Sequence, residues 1–293
     1  MSDTLASLHR KIDGATKLQS VVRTMKAVAA SSIGQYEAAV ASLADYEHAV
    51  ELSLSVCFRK SDPIAASSKS SKNDAPIGAI VFGSDQGLVG QFNEAVADFT
   101  ETKLADMPGN KKLWIVGERI YPSLAQAGLP VVGRFAVPGS VDGITSLVEQ
   151  LQVAVEEQKD EPAIEIYVFH AKPSSGSLYE PTCQRLLPFD AGWQKKLAKI
   201  PWPTKKLPEP FGDSETTLRA FVREYLFIVL FRACAESLAS ENASRLAAMQ
   251  RAEKNIDSLS TELNRSFYRL RQNSIDEELF DVIAGFNSLS SSN

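Results

Sequence analysis

The chain has 293 residues, 44% of them hydrophobic and 23% charged, and carries a formal net charge of -5. That length supports one large domain or two small ones, and the acidic balance argues against nucleic acid as a partner. Three cysteines (Cys57, Cys183, Cys234) are too few and too scattered for a disulfide framework or a zinc site.

The first segment, residues 1–58, opens MSDTLASLHRKIDG, with charges in its first turns and no apolar signal core, so no secretion signal is expected. The whole segment reads as one long helix. Stepping by three and four from Leu5 meets Leu8, Ile12, Ala15, Val22, Ala29, Ile33, Tyr36, Val40, Leu43, Val50, Leu54 and Cys57, interrupted at Gln19, Lys26 and Glu47. A stripe sustained over so many heptads predicts a coiled-coil seam, with Leu8, Ile12 and Val22 among its members. Leu18, Val21, Met25 and Val28 form a second strip and widen the apolar face toward a further neighbour. Residues 59–75, RKSDPIAASSKSSKNDA, are serine- and lysine-rich with almost no large apolar residue, and read as a flexible linker.

The period changes over residues 76–212. Short β-branched runs at 77–82, 113–118, 131–137 and 163–170 alternate with helical stretches at about 89–105, 119–127 and 141–157. Such alternation predicts βαβ units, a Rossmann-like α/β domain with a mostly parallel sheet buried on both faces. The run TCQRLLPF at 182–189 adds an edge or antiparallel strand, and the proline-rich 200–212 cannot be helical.

The last segment, 213–288, contains no proline, and Asp213 or Ser214 can cap it. From 213 to 286 a single helix would run about 110 Å at ~1.5 Å per residue, which demands a partner along its length. Its seam steps through Leu218, Phe221, Tyr225, Ile228, Ala235, Ala239, Leu246, Met249, Ile256, Leu263, Phe267 and Leu270, broken at Arg232, Asn242, Glu253 and Ser260. The stretch 237–244 is small and polar. The fold class expected is therefore α/β with a long antiparallel coiled coil of the N- and C-terminal helices. The C-terminal helix is some twenty residues the longer, so Ile275 to Phe286 is left to face another partner.

Catalytic and binding motifs are sparse. Glycines at 83, 87 and 90 in GSDQGLVG do not have the G-x-G-x-x-G spacing, and no Gly-Lys-Ser/Thr follows. His9, His48 and His170 lie far apart without ligand-type neighbours, and no nucleophile motif occurs. Neither a catalytic residue, a cofactor nor a metal is expected. No run of about 18 apolar residues exists. The richest stretch, 221–235, is broken by Arg223, Glu224 and Arg232, so direct membrane insertion is not expected either.

Four blocks carry a resemblance. LASENASRLAAM at 238–249 is similar to the L-A-S-E-x-x-A-R-x-x-A-M stretch of the gamma subunits of F-type ATP synthases. RQNSIDEEL at 271–279 resembles their A-R-Q-x-S-I-T-x-E-L terminus, and TMKAVAAS at 24–31 resembles their N-terminal helix. SDQGLVG at 84–90 matches their loop after the first strand. The matches are collinear over the whole chain.

The resemblance implies a non-catalytic rotor. Its coiled coil would enter the hexamer of alpha and beta subunits, and its α/β domain would sit with the epsilon subunit on the c-ring of the membrane sector. It would lie at the cytoplasmic face of the cell membrane and couple ion flow to ATP synthesis or hydrolysis. Carried over by position, beta-subunit contacts fall at Met25, Lys26, Arg245, Gln272, Asp276, Glu278 and Asp281. Asp276 stands where the family has threonine, Ser32 where it has lysine, and Lys26 where it has an acidic or polar residue. These departures mark a divergent, alternative F-type branch of bacterial or archaeal type. The competing reading is a coiled-coil scaffold or tether whose α/β domain binds a partner.

Overall fold

The computed structural model describes residues 4–60, 76–157, 165–175, 178–187, 189, 191–208 and 213–290, with backbone alone at 60, 191, 214 and 285–290. Of the expected linker, 61–75 lies outside the described residues, as do 163–164 of the fourth strand and 209–212 of the proline-rich segment.

In chain order the elements are α1 (Leu5–Lys60), β1 (Ile77–Phe82), α2 (Phe92–Ala105), β2 (Lys111–Val116), α3 (Tyr121–Gln126) and β3 (Val131–Phe135). They continue with α4 (Val141–Glu156), β4 (Glu165–Lys172), β5 (Glu180–Leu187), α5 (Ala191–Ala198) and α6 (Ser214–Ser290). The terminal helices have 56 and 77 residues. Asp213 caps α6: its Oδ2 accepts from the Thr216 N–H at 3.1 Å, and those bonds hold its carboxyl below the usual range. Helix α5 was not expected; β1 spans its expected range, and the ends of the other strands lie within two residues of theirs. Backbone hydrogen bonds, rather than apolar runs, decide where a strand stops.

The sheet order is β3-β2-β1-β4-β5, parallel throughout except for the antiparallel β4–β5 pair. Strand β1 is buried at all six positions, and its alternate residues serve two cores. Ala79 and Val81 pack with Phe92, Val96, Leu113, Ile120 and Leu124 under α2 and α3. Ile80 and Phe82 pack with Ile144, Val148 and Leu151 of α4, and with Tyr36 of α1 and Val229, Ala235 and Leu238 of α6. Period-two alternation within a continuously apolar strand is what a sheet covered on both faces requires.

The chain divides into two compact units, Met1–Val28 with Leu246–Asn293, and Ala29–Arg245. Within the first, Gln19 bonds Asp257, Arg23 and Lys26 bond Glu253, and the His9 ring meets Phe267 edge-on with centroids 6.1 Å apart. Partners descend α6 as they ascend α1, so the helices run antiparallel. Within the second, Tyr46 donates to Glu224 at 2.6 Å, and Glu47 takes a two-pronged bond from Arg232. Each seam position expected from Leu5 to Cys57 and from Leu218 to Leu270 is buried or half-buried. Leu8, Val22 and Met249 are buried outright, and Ile12, Leu246, Ile256, Leu263 and Leu270 half-buried. The second strip behaves differently: Leu18, Val21 and Val28 are more than half exposed, and Met25 is half-buried.

Candidate functional site

In the first unit the paired stretch ends near Leu270. Beyond Ser274 every described side chain of α6 is exposed. Among these are Ile275, Leu279, Phe280, Val282 and Ile283, the aromatic ring being 70% exposed. Large apolar side chains at such density on a helix that no other described residue covers mark a contact surface. Asp276, Glu278 and Asp281 are interleaved with them, so the surface is both apolar and acidic.

In the second unit α6 covers the place where a sheet of this kind usually holds a ligand. In a parallel sheet, ligands settle outside the carboxyl ends of the strands, where the strand order reverses. Here that point lies between β1 and β4. The small polar stretch of α6 occupies it. Ser240 Oγ donates to the Ala171 carbonyl at the end of β4, and Ser244 Oγ donates to the Val89 carbonyl in the loop after β1. Beside them, His170 Nε2 and Glu236 Oε2 are 2.9 Å apart and buried.

The 83–90 loop is likewise committed to structure. Asp85 Oδ1 accepts from the Glu118 N–H and Oδ2 from the Val137 N–H, tying together the segments that follow β1, β2 and β3. A Cβ on Gly83 would lie 2.6 Å from that of Ile120, and Gly117 at φ +105° would drive one to 2.7 Å from the Ser84 nitrogen. Gly83 and Gly117 serve close backbone approach.

Among the described residues one cleft of about 190 Å³ is lined by Tyr36, Asp85, Glu241, Asn242 and Arg245 among others, and another of about 250 Å³ by His170, Thr182, Arg232 and Glu236 among others. Burial pushes the Glu241 carboxyl up, against the opposing pull of Arg245, which bonds it at 2.5 Å. Among the described residues no group of three or more His, Cys, Asp or Glu is placed to hold a metal ion, and no helix is long and apolar enough to cross a membrane.

The residues expected as partner contacts fall into three settings. Gln272, Asp276, Glu278 and Asp281 are exposed on the unpaired end of α6. Met25 and Lys26 lie on α1, where Lys26 Nζ is 2.5 Å from Glu253 and so is engaged within the chain. Arg245 belongs to the other unit and is buried, its guanidinium bonded to Glu241 and Asn242. Glu253 and the Glu47–Arg232 pair were not among the expected contacts. Their signal was present as charged interruptions of two apolar seams.

A family model described as ATP synthase matches residues 4–289. The chain is 25% identical to the ATP synthase gamma chain of Moorella thermoacetica over 285 residues, covering 97% of this chain and 99% of that one. It is likewise 25% identical to that of Syntrophus aciditrophicus, over 97% of this chain and 98% of the relative. Its fold is similar to a chain of the Euglena gracilis mitochondrial ATP synthase rotor in rotational state 1. That match has a TM-score of 0.62 at 13% identity and covers 92% of this chain and 98% of the other. A chain in the OSCP/F1/c-ring assembly of the same organism matches at a TM-score of 0.64 and 15% identity, over 98% and 95% of the two. With a family model running nearly end to end and relatives named as gamma chains, the chain belongs to the ATP synthase family.

Proposed function

We propose that this chain is the central-stalk gamma subunit of an ATP synthase, a rotor without a catalytic site of its own. It couples ion flow through the membrane c-ring to ATP synthesis or hydrolysis on the alpha/beta hexamer. The observation that carries this reading is the unpaired end of α6, which offers Ile275, Leu279, Phe280, Val282 and Ile283 to a partner outside the chain. A helix end enclosed by a ring of subunits has its apolar side chains covered on assembly. The exposed Gln272, Asp276, Glu278 and Asp281 would then meet beta subunits, with Met25 and Lys26 doing so further along the pair. The α/β domain would rest with the epsilon subunit on the c-ring, at the cytoplasmic face of a bacterial or archaeal membrane. A rotating asymmetric shaft acts by differential contact, favouring one conformation in each neighbour in turn.

Co-expression with alpha and beta chains tests the reading. The full chain should co-purify with them, and a chain ending after Leu270 should keep its folded α/β domain while losing most of the coupling between ATP turnover and ion movement. A chain that stays monomeric beside alpha and beta chains would count against the stalk. Full coupling in the shortened form would show that the unpaired end is dispensable.

A further inference from the structure

The charged interruptions of the two seams are placed with a regularity that apolar packing does not require. Lys26 and Glu47 lie 21 residues apart on α1, and Arg232 and Glu253 lie 21 apart on α6, which is three heptads on each helix. One cross-helix pair closes in each compact unit: Lys26 with Glu253, backed by Arg23 at 3.3 Å, and Glu47 with both prongs of the Arg232 guanidinium. Both pairs belong to one register of the two helices.

A heptad seam is ambiguous by construction. Sliding one helix by seven residues, about 10 Å, returns an apolar side chain to nearly every seam position. The charges break that degeneracy. A one-heptad slip would set Lys26 against Leu246 or Ser260, and Glu47 against Tyr225 or Ala239. It would set Arg232 against Val40 or Leu54, of which Leu54 is fully buried. Each placement strands a charge in the seam without its partner. A slip of three heptads would restore the spacing but oppose Lys26 to Arg232 or Glu47 to Glu253, like against like. Positive faces negative in one pair and negative faces positive in the other, so the pattern accepts the native register and rejects its near alternatives.

We infer that Lys26, Glu47, Arg232 and Glu253 are positioning residues that lock the axial register of the helix pair. Their importance for coupling rests on the stalk reading, since a shaft whose helices slide past one another loses the defined faces it presents. A buried or half-buried charge pair contributes little net stability but specifies register, the division of labour seen for polar residues in coiled-coil cores.

The test separates register from stability on the full-length chain. Gln19→Cys with Asp257→Cys reports the native register, because those side chains bond at 2.5 Å. Gln19→Cys with Asn264→Cys, or with Gln250→Cys, reports slips of one heptad in either direction. Disulfide yields under mild oxidation are compared between the charged seam and a seam carrying Lys26→Leu, Glu47→Leu, Arg232→Leu and Glu253→Leu.

The lock predicts an unchanged or higher melting temperature in the four-leucine chain. It also predicts slipped cross-links at least about fivefold more abundant than with the charged seam. Native cross-links alone in the four-leucine chain would overturn the lock, showing that apolar packing sets the register unaided. If that chain does not fold, Lys26→Met with Glu253→Met applies the same criterion to the first unit. Because the cross-links are read without partner subunits, failure here is distinct from failure to assemble with alpha and beta chains.

Discussion

Glu241 and Glu253 sit twelve residues apart on one helix, each bonded to a basic side chain, yet their environments push them in opposite directions. The Lys26 bond, with Arg23 behind it, holds Glu253 below its ordinary 4.5. Burial pushes Glu241 above 4.5 despite Arg245. The consequences for stability have opposite signs. Glu253's contribution is present above pH 4.5 and is lost as pH falls through its lowered folded value. Glu241's is full below pH 4.5 and is lost as pH rises through its raised one. Thermal melts across pH should therefore show the advantage of wild type over Glu253→Gln vanishing in acid. Glu241→Gln should flatten a decline that wild type shows on the alkaline side of 4.5. Matching pH profiles for wild type and both variants would contradict these environments. Neither could be read from composition. The seam stepping flagged Glu253 as an interruption, whereas Glu241 lay in a polar stretch whose burial depends on strands some seventy residues earlier in the chain.

At the scale of elements, the long helices were legible because their period persists for many turns and no proline interrupts it. Helix α5 was not, for a physical reason. It has eight residues and its stabilisation is tertiary: Trp193 stacks on Phe189 with centroids 4.8 Å apart and leans on Tyr225. The Arg59 guanidinium, from α1, donates to the carbonyls of Ala198 and Ile200 at its end. So short a helix is marginal alone. The polar block at 237–244 has its reason in the sheet topology, which places it across the crevice at the strand ends. Ser240 is fully buried there. Ser240→Ala should cost about 1 kcal/mol by orphaning the Ala171 carbonyl, and Ser240→Leu about 1–3 kcal/mol by overpacking. Denaturant unfolding measures both, and a Leu variant as stable as wild type would show that α6 does not seal the crevice.

For the whole molecule, the segments visible in sequence do not coincide with its compact units: both terminal helices contribute to both units. Which stretches of two helices belong together is set by contacts between the ends of the chain, and the pattern along either helix does not reveal it. The expected contact residues divide accordingly. Those at 272–281 are displayed, Lys26 is engaged with Glu253, and Arg245 is built into the unit containing the sheet. Family membership and an uncovered helix end together make rotation within a ring of subunits the central claim. It is tested most directly by coupling a visible probe through Val153→Cys, an exposed position on α4, in a complex with alpha and beta chains fixed to a surface. The account predicts that ATP turns the probe in one direction and that the motion stops when ATP is withdrawn. A complex that hydrolyses ATP at full rate while the probe stays still would contradict it.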